Sequence, residues 1–330
     1  MAKKYWLCGF LMLAVFLSLD AQERPPWVIL EQGKVAFDES NLSQAQQLFF
    51  EATQKNQEYP EAEFWLGQVY EAQGQPELAE EQYRRALSYA SLLVIRNQSI
   101  QIQYALAQLL LNRGAPRREE ARALLSGIAN QEGASDPEQL KREHLYVDRL
   151  LAGGLDELLY LYRDELTYSL QARRVLGEMA WEDGQYRTAL VHSMRSVLSI
   201  LSTLSQRRRE VDPHWRFDID PLEDPLRPDK DVRYPLYADG VAELLAWVNQ
   251  QDLTATQWLE TEGFWSQVYL LASALFAGGH GDAAQACWEV LVVSGSLEGD
   301  RSPRNGSGRW GRLAVKQLEN PFISVGTLAP

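Results

Sequence analysis

The sequence predicts an all-α fold of antiparallel helix hairpins stacked in order, with one long loop and a C-terminal capping helix. Three observations predict it. Residues 26–52 recur at 60–86 with a period of 34, pairing Pro26 with Pro60, Gly33 with Gly67, Ala36 with Tyr70, Ala45 with Ala79, Phe49 with Tyr83 and Ala52 with Ala86. Small residues twelve apart return farther along, at Gly177 and Ala189 and at Ala272 and Ala284. Seven positions after the first small residue of a unit stands a turn former, Ser40, Gly74, Gly114, Gly184 or Gly279. A period of this size is what stacked helix-turn-helix units produce. Small residues let the two axes of a hairpin approach, and bulky residues on the adjoining turn fill the space between hairpins. Glycine suits a helix end that enters the left-handed region.

Composition agrees with a packed, soluble array. The chain has 330 residues, 45% of them hydrophobic, enough for a substantial core. A net charge of −13 leaves no broad face for phosphate and argues against nucleic acid as a partner. The arginine clusters at 84–85, 117–118 and 207–209 stand beside carboxylates and read as solvated faces. At the N-terminus, Lys3 and Lys4 precede an apolar run over 5–19, and Ala21 offers a small residue before Gln22. Segment 1–21 therefore reads as an export signal. The run is shorter than the ~20 residues a membrane span needs, and an uncleaved N-terminal anchor is the other reading. Cys8 lies in that segment and Cys287 is the one cysteine after it, so the processed chain forms no internal disulfide.

Element by element, 22–204 reads as a continuous helical array. Its first two units match position by position. Around Ala107 the second small residue is displaced, with Glu119 where it is expected and Ala121 two places on, which places a short insertion at Ala115-Pro116. Segments 144–151 and 155–166 are apolar at three and four spacing on either side of Gly153-Gly154, a worn hairpin. The Gly177 unit has Ser193 where its neighbours carry Phe49, Tyr83 or Trp288. Segment 205–237 holds Pro213, Pro221, Pro225, Pro228 and Pro235 among dense charges, a composition hostile to helix, and is expected to be a loop. Residues 238–320 return to helical spacing at 241–249 and from Thr256, meet a second breaker at 298–311, and finish in an amphipathic stretch at 313–318 that suits a terminal cap. Residues 321–330 read as a tail.

The set Pro60, Leu66-Gly67, Tyr70, Ala79, Tyr83 and Ala86 resembles the tetratricopeptide repeat. That resemblance implies a right-handed superhelical solenoid whose first helices line a concave surface that holds a protein or peptide segment. The positions it assigns to that surface are Trp27, Leu30, Lys34 and Phe37 in the first unit and Phe64, Gln68 and Glu71 in the second. They continue with Tyr104, Gln108 and Leu111, then Arg174, Glu178 and Trp181, and in the last unit Tyr269, Ser273 and Phe276. Rings beside amides and charges are what protein-binding surfaces show. The family's carboxylate-clamping version needs Lys and Asn repeated along this face, and Lys34 stands alone there.

Motifs for other chemistry lack their context. Gly306, Gly308 and Gly311 have G-x-G-x-x-G spacing without the strand that a dinucleotide loop follows. His144, His192, His214 and His280 are scattered without ligand spacing. Asp218, Asp220, Glu223 and Asp224 offer hard oxygens but lack the turn glycine of a calcium loop. Cys287 falls in the pattern of a packed helix, where a thiol is inert. The expectation is a non-catalytic scaffold without cofactor or metal, periplasmic, binding protein or peptide partners, with a role in cell-envelope assembly. The alternative is an enzyme or ligand-binding domain centred on 205–237 and the C-terminal third, with Trp215, Arg216 and Asp218 facing a pocket and the repeats as support. A third possibility is self-association through an exposed repeat face.

Overall fold

A computed structural model describes residues 24–130, 137–161, 167–212, 218–224, 227–236, 240–295 and 307–321. Segment 1–21, expected from its sequence to be an export signal, and His214, Trp215 and Arg216 lie outside them. The chain divides into two compact units, Met1–Ala121 and Arg122–Pro330.

The first unit consists of two hairpins and the start of a third. Helices α1 (Pro26–Asp38) and α2 (Leu42–Lys55) pack as one pair, α3 (Pro60–Ala72) and α4 (Pro76–Ser88) as the next, and α5 (Gln98–Asn112) packs on α4. Proline opens α1, α3 and α4, where its missing N–H belongs to the first turn and leaves no bond unmade. The predicted turn position holds: Ser40, Gly74 and Gly114 all take positive φ, at 62°, 71° and 90°. In the first two turns the third N–H past the helix reaches back to the equivalent carbonyl, Asn41 to Ala36 and Gln75 to Tyr70, each at 2.8 Å. Helix α6 (Arg118–Ala129) follows after a 3₁₀ turn at Ala115–Arg117, the site of the expected insertion.

The small residues of the repeat have a steric cause. A β-carbon on Gly33 would stand 2.5 Å from Cε1 of Phe49, and one on Gly67 would stand 2.5 Å from Cε1 of Tyr83. Each ring lies across the backbone of its partner helix, fully buried, and Ala45, Ala52, Ala79 and Ala86 around it have no exposed surface.

In the second unit, α7 (Pro137–Gly153) runs into a 3₁₀ helix (Gly154–Tyr160), so the expected helix at 155–166 is 3₁₀ as far as 160 and lies outside the described residues from 162. Helix α8 (Thr167–Glu182) pairs with α9 (Tyr186–Val211), and α9 packs in turn on α12 (Phe264–Ala277), which pairs with α13 (Gly281–Gly295). The turn glycines Gly184 and Gly279 are left-handed, at 72° and 86°. Where Gly177 meets Ser193 instead of a ring, the approach is looser, 3.2 Å from a β-carbon to Oγ. Helices α10 (Val241–Gln251) and α11 (Leu253–Thr261) form a short corner, with the Asp252 carboxylate accepting from Ala255 N–H at 2.9 Å as an N-cap.

Two expectations are corrected. The segment read as a loop from 205 is helical as far as Val211, then becomes an antiparallel two-stranded ribbon, β1 (Asp218–Asp224) and β2 (Arg227–Leu236), in register from Asp218↔Leu236 to Glu223↔Asp231. Pro221, Pro228 and Pro235 lie in its strands, which are both edge strands, the place where a missing donor is tolerated. The second breaker is shorter than read: α14 (Ser307–Glu319) begins inside the glycine run, so Gly308 and Gly311 are helical residues. Gly311 is buried where a β-carbon would lie 3.2 Å from the Leu291 carbonyl of α13, so glycine there permits helix contact. The cap is otherwise as expected, with Gln317 donating to Tyr269 Oη at 2.9 Å and Trp310 5.4 Å from the Tyr269 ring.

Candidate partner-binding face

The positions that the repeat assigns to its first-helix face divide into three groups. Leu30, Phe64 and Trp181 are buried in the core, at 5%, 2% and 1% exposure, as are Tyr269 and Ser273. Phe64 packs 5.9 Å from the Tyr83 ring and Trp181 5.0 Å from Tyr186, so these side chains fill space within the stack and offer no contact surface. Trp27 is 63% exposed and lines a depression on the outer side of α1 together with Val28, Val35 and Leu48. The remaining positions, Lys34, Phe37, Gln68, Glu71, Tyr104, Gln108, Leu111, Arg174, Glu178 and Phe276, are half-buried and keep a face toward solvent.

Within the first unit these residues form two clusters. Around Trp65, the Phe37 ring meets the indole edge-on at 5.5 Å, Phe49 stacks at 6.0 Å, and the Lys34 ammonium sits 5.8 Å from the ring centroid while bonded to Glu31 at 2.7 Å. Trp65 was not among the residues the sequence singled out. It stands one position past the assigned Phe64, which turns it toward the preceding hairpin, and an indole beside an assigned aromatic was the available signal. In the second cluster Gln68 donates to Tyr83 Oη, which donates to Glu71 Oε2 at 2.7 Å. Burial, followed by the Glu71 carboxylate, pushes the Tyr83 phenol above its ordinary range, so it stays a neutral donor and fixes both side chains of the face.

In the second unit, Arg174 lies near two carboxylates, Glu178 and Glu262. A β-carbon on Gly263, at φ 67°, would meet Arg174 Cδ at 2.9 Å, which places the guanidinium stem against the start of α12. Burial raises the Glu178 and Glu262 carboxyls, with Arg174 pulling both down. Glu262 is 3% exposed, and Gln267 has no exposed surface and no hydrogen-bond partner for either amide atom among the described residues. The other reactive candidates are inert. Burial pushes the Cys287 thiol up to about 12 with help from Asp156, and drives His192 down to about 3, aided by Arg173 and Arg195. Among the described residues no three His, Cys, Asp or Glu side chains converge as a metal site, and no helix is long and apolar enough to cross a membrane.

Paired helices with left-handed turn glycines and ring-over-glycine contacts define a helix-hairpin repeat protein. Residues 30–91 match the family model described as tetratricopeptide repeat, a stretch that runs from within α1 to just past the end of α4. No curated protein matches it.

Proposed function

We propose that this protein is a non-catalytic scaffold that holds a protein or peptide segment along the first-helix face of its repeats. Tetratricopeptide repeats are protein-interaction modules, and that coarse role follows from the family. The observation that carries the finer reading is the fixed polar–aromatic row in the first unit: Lys34 and Phe37 against Trp65, then Gln68 and Glu71 held by Tyr83. A row whose side chains are already immobilised loses little entropy on binding, and its amide and carboxylate suit the N–H and C=O groups of an extended segment. Lys3, Lys4 and the apolar run over 5–19 support export, with the processed chain in the periplasm and a role in envelope assembly.

The test is a crosslinked pull-down from envelope extract. The wild-type chain is expected to retain a protein that Lys34→Glu and Gln68→Ala with Glu71→Ala each lose by about tenfold or more. A chain lacking the 218–236 ribbon should retain it. Loss on ribbon deletion with retention by both face variants would overturn this reading in favour of an activity centred on the ribbon.

A further inference from the structure

On the first-helix face of the second hairpin, one hydroxyl decides which hydrogen-bonding groups are left over. Tyr83 of α4 is fully buried, and its Oη sits between two side chains of α3, accepting from the Gln68 amide and donating to Glu71 Oε2 at 2.7 Å. A carboxylate only accepts, so the single phenolic hydrogen belongs to Glu71 and the relay runs one way, from amide to hydroxyl to carboxylate. Its outer ends are Gln68 Oε1 and Glu71 Oε1, for which the described residues supply no donor. Three residues apart on one helix, the two side chains are neighbours, with about 5–6 Å between β-carbons. No Lys, Arg or His among the described residues pairs with Glu71, and Lys34, the cation assigned to the same face, is bonded to Glu31 at 2.7 Å. Gln68 and Glu71 are half-buried, so these acceptors stay within reach of a partner.

Taking that face as the partner surface, as proposed above, we infer that the segment it holds places an arginine side chain between Gln68 and Glu71. A guanidinium presents five N–H donors in a rigid plane, enough to reach two acceptors that one helix holds side by side. Its charge meets a carboxylate whose other oxygen is already fixed by Tyr83, so little ordering of Glu71 is left to the moment of binding. A lysine ammonium meets the charge as a point and lacks the fork. An acidic side chain in the same place would face the Glu71 carboxylate, a like charge that disfavours it. The net charge of −13 over the whole chain draws a basic segment toward the protein in the same sense.

The experiment is a random-peptide display selection on the processed chain, followed by fluorescence anisotropy of the best peptide and of a version with its arginine replaced by glutamine. Selected peptides are expected to share an arginine, and its replacement to weaken binding to wild type about tenfold but to Glu71→Gln less than about twofold, the signature of a direct pair. Glu71→Gln keeps an acceptor for the Tyr83 hydroxyl and removes only the charge, so its helicity and melting should match wild type. Glu39→Gln, which removes an exposed carboxylate on the outer side of α1, should leave the tenfold effect in place and so separates the site from the field of the whole chain. Peptides that lose affinity in Lys34→Glu but share no arginine, or whose arginine costs the same to remove in Glu71→Gln as in wild type, would overturn the inference and leave the face as the partner surface. Failure to select any peptide, or peptides indifferent to Lys34→Glu and to Gln68→Ala with Glu71→Ala, would overturn both.

Discussion

At Gly67 the requirement is space. The nearest ring atoms of Tyr83 would stand 2.5 and 2.6 Å from an added β-carbon, so Gly67→Ala must displace a fully buried ring and is expected to cost about 1–3 kcal/mol in urea unfolding. Gly74→Ala should cost roughly 1–2 kcal/mol for a different reason, since nothing lies within 4 Å of its β-carbon and the penalty is the left-handed backbone at φ 71°. Combining each with Tyr83→Leu separates the two: the leucine should offset part of the Gly67→Ala cost and none of the Gly74→Ala cost. Glu262 illustrates a buried charge without full compensation. Its pKa is raised first by burial, against Arg174, Trp258 and Gln171, and its Oε2 has no hydrogen-bond partner among the described residues. A carboxyl whose folded pKa lies above its unfolded one contributes fully at pH below the usual carboxylate range and loses that contribution as pH rises through it. Glu262→Gln is therefore expected to melt higher than wild type at pH 7, by about 1 kcal/mol of stability, and to lose that advantage at pH 4.

Helices were legible where side-chain volume repeats and obscure where it does not. The hairpins α1–α2 and α3–α4 announce themselves because a glycine and a ring recur together at both of their crossings, Gly33 with Phe49 and Gly67 with Tyr83, and that coupling is local enough to survive in sequence. Helix α14 was truncated in the reading because Gly308 and Gly311 look like breakers, whereas Gly311 is spent on a close approach to α13 that only tertiary structure reveals. The resemblance assigned Phe64 and Trp181 to the concave surface, whereas both are buried: a repeat pattern fixes a helical stripe to within one residue, and a shift of one residue turns a ring from solvent to core. Helix α9 carries a testable consequence of its burial. His192, driven down to about 3 by desolvation with Arg173 and Arg195 adding repulsion, is neutral in the folded chain at pH values where the unfolded chain is protonated. Its folded pKa lies below the unfolded value near 6.5, so stability falls as pH drops from about 6.5 toward about 3, at ~1.4 kcal/mol per pH unit. His192→Gln should flatten that limb in urea unfolding at pH 6, 5 and 4.

Across the whole molecule the strands β1 and β2 interrupt the run of helices, and the question is whether the fold needs them. Tethers on either side of the ribbon argue that it does not. Arg207, near the end of α9, holds the Asp252 carboxylate through Nε at 2.9 Å and Nη2 at 2.8 Å, fixing the α10–α11 corner, while Asp156 of the 3₁₀ helix accepts from Val241 N–H at 2.8 Å and anchors the start of α10. The elements that flank the ribbon are thus positioned by side chains outside it, and lengthening or shortening a connection changes closure entropy only slowly. Replacing 218–236 by about ten Gly and Ser residues is expected to leave the melting of the chain within about 1 kcal/mol of wild type. Mean helicity per residue should rise, because the removed residues are strand. Arg207→Ala in the same background should then destabilise more than in the intact chain, as the linker no longer restrains the corner that the ion pair fixes. A large loss of stability on ribbon replacement alone, read by circular dichroism and urea unfolding together, would mean that β1 and β2 belong to the core and that the repeats of the second unit are not self-sufficient.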